Sequence, residues 1–251
     1  MNPILVNQLS IDYCCAEADI LDERNHFTEF FPHPDRRRYD DPDDCFLKIC
    51  AVNSKLLVNG HGDIVSALEP WLRDYGGEWF LEAGPLRKLD GILQPYGYQI
   101  RRVHPFYVCD TPSPADTSGW DIQWYEPADI AQFEGDGRFS SAFTFLPAAP
   151  DMLGVAALRN GEICAMAGAS GDSPQMWQIG INTLPHARKQ GAAGMLVKLI
   201  KNEILRRGAL PFYGTALSHL ASQKTALNAG FKPAWGELVV EKREPKRLTP
   251  P

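Results

Sequence analysis

The sequence predicts a mixed α/β (α+β) protein with a smaller N-terminal domain, residues 1–112, and a second domain, residues 113–251. Of the 251 residues, 44% are hydrophobic and 22% are charged, which is typical of a folded globular chain and excludes disorder, collagen and coiled coil. In both halves, β-like runs alternate with helical runs. Residues 109–119 are polar, contain two prolines and are typical of a linker between domains.

The N-terminal domain is predicted to be a small α+β unit. Residues 46–58 hold two short β-like runs on either side of an Asn-Ser pair, which favours a hairpin. Helical patterns follow over residues 63–75 and 86–93. The acidic segment 40–44 is interpreted as a solvated turn, because Pro42 breaks the spacing that a calcium loop requires. The arginine run 36–38 is also interpreted as a solvated turn, because no second feature supports a phosphate-binding role.

The C-terminal domain is predicted to begin with an antiparallel pair of strands. Residues 152–159 and 162–169 are β-like, and Asn160-Gly161 between them is a strong signal for a two-residue hairpin turn. A third strand is predicted over residues 175–183, because Pro185 stops the run there.

A helix is predicted from Ala192 to Gly208, because apolar residues recur at spacings of three and four. The residues expected on its polar face are Lys198, Lys201, Asn202 and Glu203. The remaining predicted elements are a strand over 210–216, a short helix over 222–228 and a last strand over 233–241.

Charge is distributed unevenly along the chain. Residues 1–150 hold 12 Lys and Arg against 24 Asp and Glu, net −12, whereas residues 151–251 hold 13 against 7, net +6. The basic half is therefore expected to bind an anion. A small polyphosphate ligand is favoured over nucleic acid, because no row of aromatic residues accompanies the basic ones and the whole chain is acidic, net −6.

Several other classes of protein are disfavoured by the sequence. No apolar run approaches the roughly 20 residues that span a bilayer, and the start lacks the pattern of a secretory signal, so a cytoplasmic protein without a membrane partner is expected. Six cysteines without a CxxC pair predict reduced thiols and no zinc site. No metal cofactor is expected.

Residues 188–194, between the third strand and the helix, carry the strongest functional signal. A helix N-terminus presents unpaired N–H groups and a positive dipole end, and small residues let a pyrophosphate approach the main chain. The segment matches neither the GxGxxG nor the Walker pattern, which disfavours nucleotide-dependent dehydrogenases and ATPases. The alternative is that its glycines and alanines only allow the strand and the helix to pack closely.

Two motifs in the C-terminal half stand in a characteristic order. The first is Arg188-x-x-Gly191-x-Ala193, and the second is Ser222 followed eight residues later by Gly230-Phe231. Together they resemble the acetyl-CoA loop and the downstream motif of the GNAT superfamily of acetyl-CoA-dependent N-acetyltransferases. The resemblance covers about residues 120–241. It implies a mixed, mostly antiparallel sheet flanked by helices and acetyl-CoA as the cosubstrate.

The resemblance also implies which residues hold the cosubstrate. Main-chain groups of Ile181 and Thr183 would pair with the pantetheine arm, where the third strand splays from the strand at Phe212. Ser222 would lie near the thioester, and its alternative role is that of a helix N-cap. The amides that would hold the pyrophosphate belong to Arg188, Lys189, Gln190, Gly191, Ala192, Ala193 and Gly194.

The expected catalytic residues depart from the family pattern. The tyrosine that many members use as the acid toward the leaving thiolate falls at Ala226, and the asparagine of the second motif falls at His219. His219 is a candidate acid or base, because an imidazole titrates near neutral pH, and Tyr213 is a second candidate for the proton donor. The alternatives are a histidine that is hydrogen-bonded at a strand end and a tyrosine that only packs in the core.

The predicted activity is transfer of acetyl from acetyl-CoA to a primary amine of an unidentified small molecule or peptide. Cationic amines are favoured by the net charge of −12 over residues 1–150. Two alternatives stay open: a non-catalytic acyl-CoA-binding regulatory module, suggested by Ala226, and a nucleotide-binding protein that uses the same loop. The sequence does not determine the oligomeric state, for which a homodimer is one option.

Overall fold

The computed structural model describes residues 1–37 and 45–243, so the predicted turn at residues 40–44 and Arg38 lie outside the described residues. The described chain forms two compact units, which we call the large unit and the small unit. The large unit comprises residues 1–12, 32–37 and 105–234, and the small unit comprises residues 13–31, 45–104 and 235–243.

Helices and strands are distributed over both units. The helices are α1 Pro3–Asp12, α2 Glu17–Leu21, α3 Gly62–Leu72, α4 Ala83–Leu93, α5 Pro127–Ile130, α6 Ala192–Arg206 and α7 Leu220–Asn228. The strands are β1 His26–Glu29, β2 Leu47–Val52, β3 Lys55–Gly60, β4 Tyr98–Val108, β5 Asp121–Tyr125, β6 Asp151–Arg159, β7 Glu162–Gly171, β8 Met176–Thr183, β9 Leu210–Gly214 and β10 Lys232–Lys242. Across the described ranges, no helix is both long and apolar enough to cross a bilayer.

In the small unit the strands pair in the order β1-β3-β2-β10. β1 and β3 are parallel, whereas β2 is antiparallel to both β3 and β10. The predicted hairpin is formed by β2 and β3, and its turn residues Asn53 and Ser54 have φ angles of 48° and 63°. Such positive angles are required by the tight turns that match the twist of two antiparallel strands. The two predicted helices of this region are α3 and α4.

In the large unit the strand order is β4-β9-β8-β7-β6-β5. Neighbouring strands are antiparallel except β8 and β9, which are parallel. The predicted turn at Asn160-Gly161 joins β6 and β7, with φ angles of 53° and 80°. The predicted fold class, a mixed and mostly antiparallel sheet flanked by helices, is confirmed.

α6 packs on one face of the sheet of the large unit. Its buried apolar residues recur at spacings of three and four and include Met195, Leu196, Ile200 and Ile204. They share a core cluster with alternate residues of β7, which are Ala165, Ala167 and Ala169. Because these side chains are small, the helix lies close to the sheet, and it contacts both β7 and β8.

The compact units differ from the predicted division at residue 112. The chain passes into the large unit at residue 105, close to that position, but residues 1–12 and 32–37 also belong to the large unit and residues 235–243 to the small one. The physical reason is pairing between distant segments. In the small unit, for example, residues 236–239 of β10 pair with residues of β2.

The interpretation of the arginine run as a solvated turn is wrong for the two arginines described. Arg36 and Arg37 are buried. The main-chain N–H of Arg37 donates to Asp12 Oδ1 at 2.9 Å, and the two side chains form a buried ion pair. Arg36 donates to the carbonyl oxygen of Asp12. The buried carboxylate of Asp12 compensates the charge of the Arg37 guanidinium. This turn is therefore buried because of a partner that is distant in the sequence.

Candidate functional site

The large unit contains a cleft where β8 and β9 separate. The two strands pair only through Met176–Gln178 and Leu210–Phe212, whereas β8 continues along β7 to Thr183. The cleft has a volume of about 1440 Å³ and is lined mainly by β8, residues 187–195 and the first turns of α7. All the residues that the sequence nominated line it: Ile181, Thr183, Arg188, Lys189, Gln190, Gly191, Ala192, Ala193, Gly194, Tyr213, His219 and Ser222.

Main-chain groups of β8 face this cleft. The N–H of Leu210 donates to the carbonyl of Gln175 at 2.8 Å, so the main-chain groups of Gln175 point toward β9. Because the direction of main-chain groups repeats every two residues along a strand, the groups of Ile181 and Thr183 point to the same side. β9 no longer pairs with β8 at that level. The main-chain groups of Ile181 and the N–H of Thr183 therefore present a strand edge to which an extended ligand can add, and the Thr183 carbonyl already accepts from Arg188 Nε at 3.4 Å.

The N-terminus of α6 presents a row of N–H groups to the same cleft. Within residues 1–37 and 45–243, the main-chain N–H groups of residues 189–194 donate to no protein acceptor, whereas the N–H of Met195 donates to the carbonyl of Gly191 at 3.1 Å. No side chain caps this helix end, and its first turn contains no acidic residue. Together with the cationic side chains of Arg188 and Lys189, this arrangement favours an anion.

The two glycines of this segment have different physical explanations. Gly191 has a φ of 85°, in the left-handed region that residues with a Cβ avoid. Gly194 lies in the helix, where glycine costs about 1 kcal/mol relative to alanine. A Cβ at either position would meet no atom within 4 Å. Close packing of the strand on the helix therefore does not account for either glycine.

The side chain of Gln190 braces the loop instead of facing a ligand. Arg159 Nη1 donates to Gln190 Oε1 at 2.6 Å, and Gln190 Nε2 donates to the carbonyl of His186 at 2.9 Å. The guanidinium of Arg159 lies over the ring of Trp120, 4.2 Å from its centroid. The side-chain amide of Gln190 is therefore occupied, and its main-chain N–H is available to bind an anion. Arg188 Nε lies 3.4 Å from the Thr183 carbonyl, so it bridges the loop and the strand edge.

Tyr213 and Ser222 meet at the inner end of the cleft. The two hydroxyl oxygens are 2.9 Å apart, and Tyr213 is 2% exposed. Burial raises the pKa of the Tyr213 phenol above its ordinary value, and the hydrogen bond to Ser222 offsets part of that rise. Ser222 is the third residue of α7, so the alternative role of a helix N-cap falls to His219, which has no side-chain capping bond.

His219 and Ala226 lie in opposite environments. His219 is exposed at the start of α7, and its imidazole forms no hydrogen bond within the described part of the chain. Ala226, where the family tyrosine would stand, is fully buried in the same core cluster as Tyr213. A tyrosine at this buried position would have to displace packed neighbours, which is destabilising. The phenol at the inner end of the cleft is therefore supplied by β9 and not by α7.

Sequence reasoning missed two cations of the cleft, Lys198 and Lys224. Lys198 lies four residues after Gly194 on α6, so helical periodicity puts both on one face and could have identified it. Lys224 lies on α7 two residues after Ser222, where no local pattern singles it out. Gln178, the last residue of β8 that pairs with β9, also lines the cleft.

In the small unit, a separate group of titratable side chains comprises Asp19, Asp22 and His26. Asp22 Oδ1 accepts from the buried Lys55 Nζ at 3.0 Å and lies 2.8 Å from His26 Nε2. These contacts hold the pKa of the Asp22 carboxyl well below its usual range, with the His26 hydrogen bond as the largest cause. The carboxylate is thus already balanced by a lysine ammonium, and it secures the burial of Lys55.

Comparisons with known proteins give structural likenesses at low sequence identity. Neither the family models nor the curated protein sequences contain a match to this chain. A GCN5-related N-acetyltransferase-like protein from Streptococcus suis is similar over 82% of this chain and 87% of its own, with 15% identity and a TM-score of 0.47. An acetyltransferase of the GNAT family from Colwellia psychrerythraea is similar over 78% and 81%, with 14% identity and a TM-score of 0.45.

A GCN5-related N-acetyltransferase from Sphaerobacter thermophilus is similar over 66% of this chain and 58% of its own, with 15% identity and a TM-score of 0.46. Solved structures of GNAT proteins are thus among those to which this chain is similar. The function proposed below rests on the cleft itself and not on these likenesses.

Proposed function

We propose that the protein is an acetyl-CoA-dependent N-acetyltransferase that acetylates a primary amine of a small molecule or peptide. The proposal rests on two features that line the same cleft. One is the row of N–H groups of residues 189–194 without a protein acceptor, and the other is the strand edge at Ile181 and Thr183. Coenzyme A carries a pyrophosphate next to an extended arm with two amide groups. The row of N–H groups can bind the pyrophosphate, and the strand edge can pair with the amide groups of the arm.

The charges of the cleft support the same ligand. Arg188, Lys189, Lys198 and Lys224 line it, and Asp116 is the acidic residue among its described lining. Coenzyme A has several phosphate charges, so a cleft with an excess of cations is favourable for it. Braced by Gln190, the loop offers its amides in a fixed arrangement, which lowers the entropy that is lost when the ligand binds.

Tyr213 is assigned the role of acid toward the leaving thiolate. In acetyl transfer, the amine nitrogen bonds to the thioester carbonyl carbon, the carbon–sulfur bond breaks, and the sulfur leaves with the bonding electrons. The Tyr213 phenol donates its proton to that sulfur, and Ser222, 2.9 Å away, keeps the phenol oriented. Because burial raises the pKa of Tyr213, the phenol holds this proton throughout the neutral range.

His219 is assigned the role of base toward the attacking amine. The amine must lose a proton before or during its attack, and the imidazole is exposed to the cleft. The acceptor class is proposed to be cationic amines, in keeping with the net charge of −12 over residues 1–150.

A second candidate function is a non-catalytic acyl-CoA-binding regulatory module. The observation that favours it is Ala226, which is buried where family members carry their acid. In such a module the cleft would bind the cosubstrate, and no acetyl group would be transferred.

The test is a thiol-release assay with acetyl-CoA and a panel of polyamines, aminoglycosides, amino acids and peptides with free N-termini. Thiol release with at least one class of amine is the expected result, and the Gly191→Asp variant serves as the blank. Calorimetric binding of acetyl-CoA without thiol release across the panel would favour the regulatory module. Displacement of acetyl-CoA by low concentrations of ATP would contradict both and indicate a nucleotide-binding protein.

A further inference from the structure

The half-buried side chain of Gln178 lines the cleft at the point where β8 and β9 separate. Gln178 is the last residue of β8 that pairs with β9, opposite Phe212. Across residues 1–37 and 45–243, its side-chain amide forms no hydrogen bond to the protein. A glutamine amide has two N–H donors and an acceptor oxygen, and such groups are normally satisfied where burial shields them from water. The amide of Gln178 is therefore available to a ligand in the cleft.

Gln178 and Tyr213 lie on opposite faces of the sheet, on either side of the gap between the two strands. Tyr213 and Gly214 are consecutive residues of β9, so their Cβ directions are opposite. A Cβ at Gly214 would lie 3.4 Å from Gln178 Nε2, which puts the amide of Gln178 on the face opposite to the Tyr213 phenol. A ligand that enters between β8 and β9 therefore has the phenol on one side and the amide on the other.

We propose that Gln178 is a catalytic residue whose Nε2 donates a hydrogen bond to the carbonyl oxygen of the bound thioester, an inference that rests on the proposed function. When the amine nitrogen bonds to the carbonyl carbon, one electron pair of the carbon–oxygen double bond moves onto the oxygen. Gln178 stabilises that negative charge. The pair returns as the carbon–sulfur bond breaks, the sulfur takes the Tyr213 proton, and the proton of the amine passes to His219.

The two faces give the thioester oxygen and the thioester sulfur separate partners. With the sulfur directed to the Tyr213 phenol, the carbonyl oxygen is directed toward the face on which Gln178 lies. A neutral amide is a suitable donor for this oxygen, because it donates without losing a proton and keeps the same charge at every pH of the assay. The acid for the sulfur and the donor for the oxygen therefore do not compete for one position in the cleft.

The first test measures the infrared stretching frequency of the thioester carbonyl in acetyl-CoA that carries carbon-13 at that carbon, bound to the full-length protein. A hydrogen bond to the oxygen weakens the double bond, so we expect a lower frequency in the unmodified protein than in Gln178→Leu. Equal frequencies would overturn this inference and leave the proposed function intact, since the measurement needs binding but no turnover. If calorimetry shows that the unmodified protein does not bind acetyl-CoA, the proposed function is itself overturned, and this inference with it.

The second test measures thiol release. Gln178→Leu is expected to lower kcat about 10²-fold and to leave the KM for acetyl-CoA within about twofold, because the hydrogen bond is strongest in the transition state. Gln178→Glu keeps the length of the side chain but has no N–H donor, so it should lose at least as much. Gln175→Leu is the matched control, since Gln175 is exposed outside the cleft, and its kcat should not change. A folded Gln178→Leu variant with kcat within about twofold of the unmodified protein would overturn the catalytic role, and if that variant does not fold, kcat of Gln178→Glu decides the question.

Discussion

The hydroxyl oxygens of Tyr213 and Ser222 lie 2.9 Å apart, one supplied by β9 and the other by the first turn of α7. This hydrogen bond joins two residues with different predicted roles: Tyr213 as a proton donor, and Ser222 as a residue near the thioester. It also means that the phenol of the cleft comes from β9, whereas position 226 of α7, at which the motif resemblance placed an acid, is a buried alanine.

The first prediction concerns the phenol. Tyr213→Phe keeps the ring, which packs 6.0 Å from the ring of Phe231, but removes the hydroxyl. We expect kcat to fall about 10²-fold with little change in the KM for acetyl-CoA, because general acid catalysis of this kind contributes about 10²- to 10⁴-fold. Steady-state thiol release measures both constants.

Ser222→Ala is the control for this variant, since it removes the partner and leaves the phenol. We expect a smaller loss of kcat than in Tyr213→Phe. Because burial raises the pKa of Tyr213, kcat of the unmodified protein should show no basic decline that is due to Tyr213 below its ordinary value of 10. Equal kcat in Tyr213→Phe and the unmodified protein would remove Tyr213 from the proposed mechanism.

The second prediction concerns the N-terminus of α6. Gly191→Asp adds a Cβ at a φ of 85° and a negative charge beside the row of amides. We expect the affinity for acetyl-CoA to fall at least about 100-fold, which corresponds to about 2.8 kcal/mol. Isothermal titration calorimetry measures this loss.

Gly208→Asp is the matched control for Gly191→Asp. Gly208 has a φ of 82° beyond the other end of α6, and a Cβ there meets no atom within 4 Å, so the backbone strain of the two variants is comparable. Gly208 does not line the cleft. Both variants should lose a similar amount of stability, and the control should keep its affinity. Similar affinities in the two variants would argue against the assignment of the loop.

The third prediction concerns the brace of the loop. Gln190→Ala removes the hydrogen bonds to Arg159 and to the His186 carbonyl. We expect an affinity for acetyl-CoA that is about three- to tenfold weaker, because ordering a loosened loop on binding costs about 1 kcal/mol. Gln132→Ala is the control, since Gln132 is also exposed and donates to a main-chain carbonyl, that of Asp129, at 2.6 Å. If both variants bind like the unmodified protein, Gln190 does not order the loop.

The fourth prediction concerns pH and stability. Burial raises the pKa of Asp172 to about 7, although Ser170 Oγ donates to its carboxyl at 2.6 Å. Between about pH 4 and pH 7, the folded protein keeps a proton on Asp172 that the unfolded chain has lost. The contribution of Asp172 to stability is therefore greatest at low pH and falls as pH rises toward 7, by at most about 1.4 kcal/mol per pH unit.

Asp172→Asn should remove this dependence. We expect its free energy of unfolding, relative to the unmodified protein, to rise by about 2 kcal/mol between pH 5 and pH 8. Urea unfolding at both pH values provides the measurement. Asp136→Asn is the control: the hydrogen bond with Arg138 lowers the pKa of Asp136, so its carboxyl stays ionised over this range. A constant difference between Asp172→Asn and the unmodified protein would show that Asp172 does not titrate there.

Local patterns predicted most of the fold and much of the candidate site. The alternation around Asn160-Gly161 predicted β6 and β7, and the three-and-four spacing after Ala192 predicted α6. The start of α7 was predicted two residues late, at Ser222 instead of Leu220. These features depend on neighbours in the chain, whose hydrogen bonds and side-chain faces repeat with a fixed period.

Contacts between distant segments could not be predicted in this way. Arg37 is buried because Asp12 compensates it, and Lys201 is buried because Cys109, Ser113 and Ala229 supply acceptors. On a helical pattern alone, a lysine among polar residues is expected in solvent. Its burial depends on acceptors that only the folded chain brings to it.

By itself, the sequence determined the mixed sheet, the amphipathic helix and the small-residue segment at its N-terminus, because each depends on a short period along the chain. The separation of β8 from β9 near Phe212 was expected from the motif resemblance, whereas only the tertiary structure decided that Tyr213 meets Ser222 there. Strand register and side-chain contacts across long separations are set by packing of the whole core, which no short segment of sequence contains.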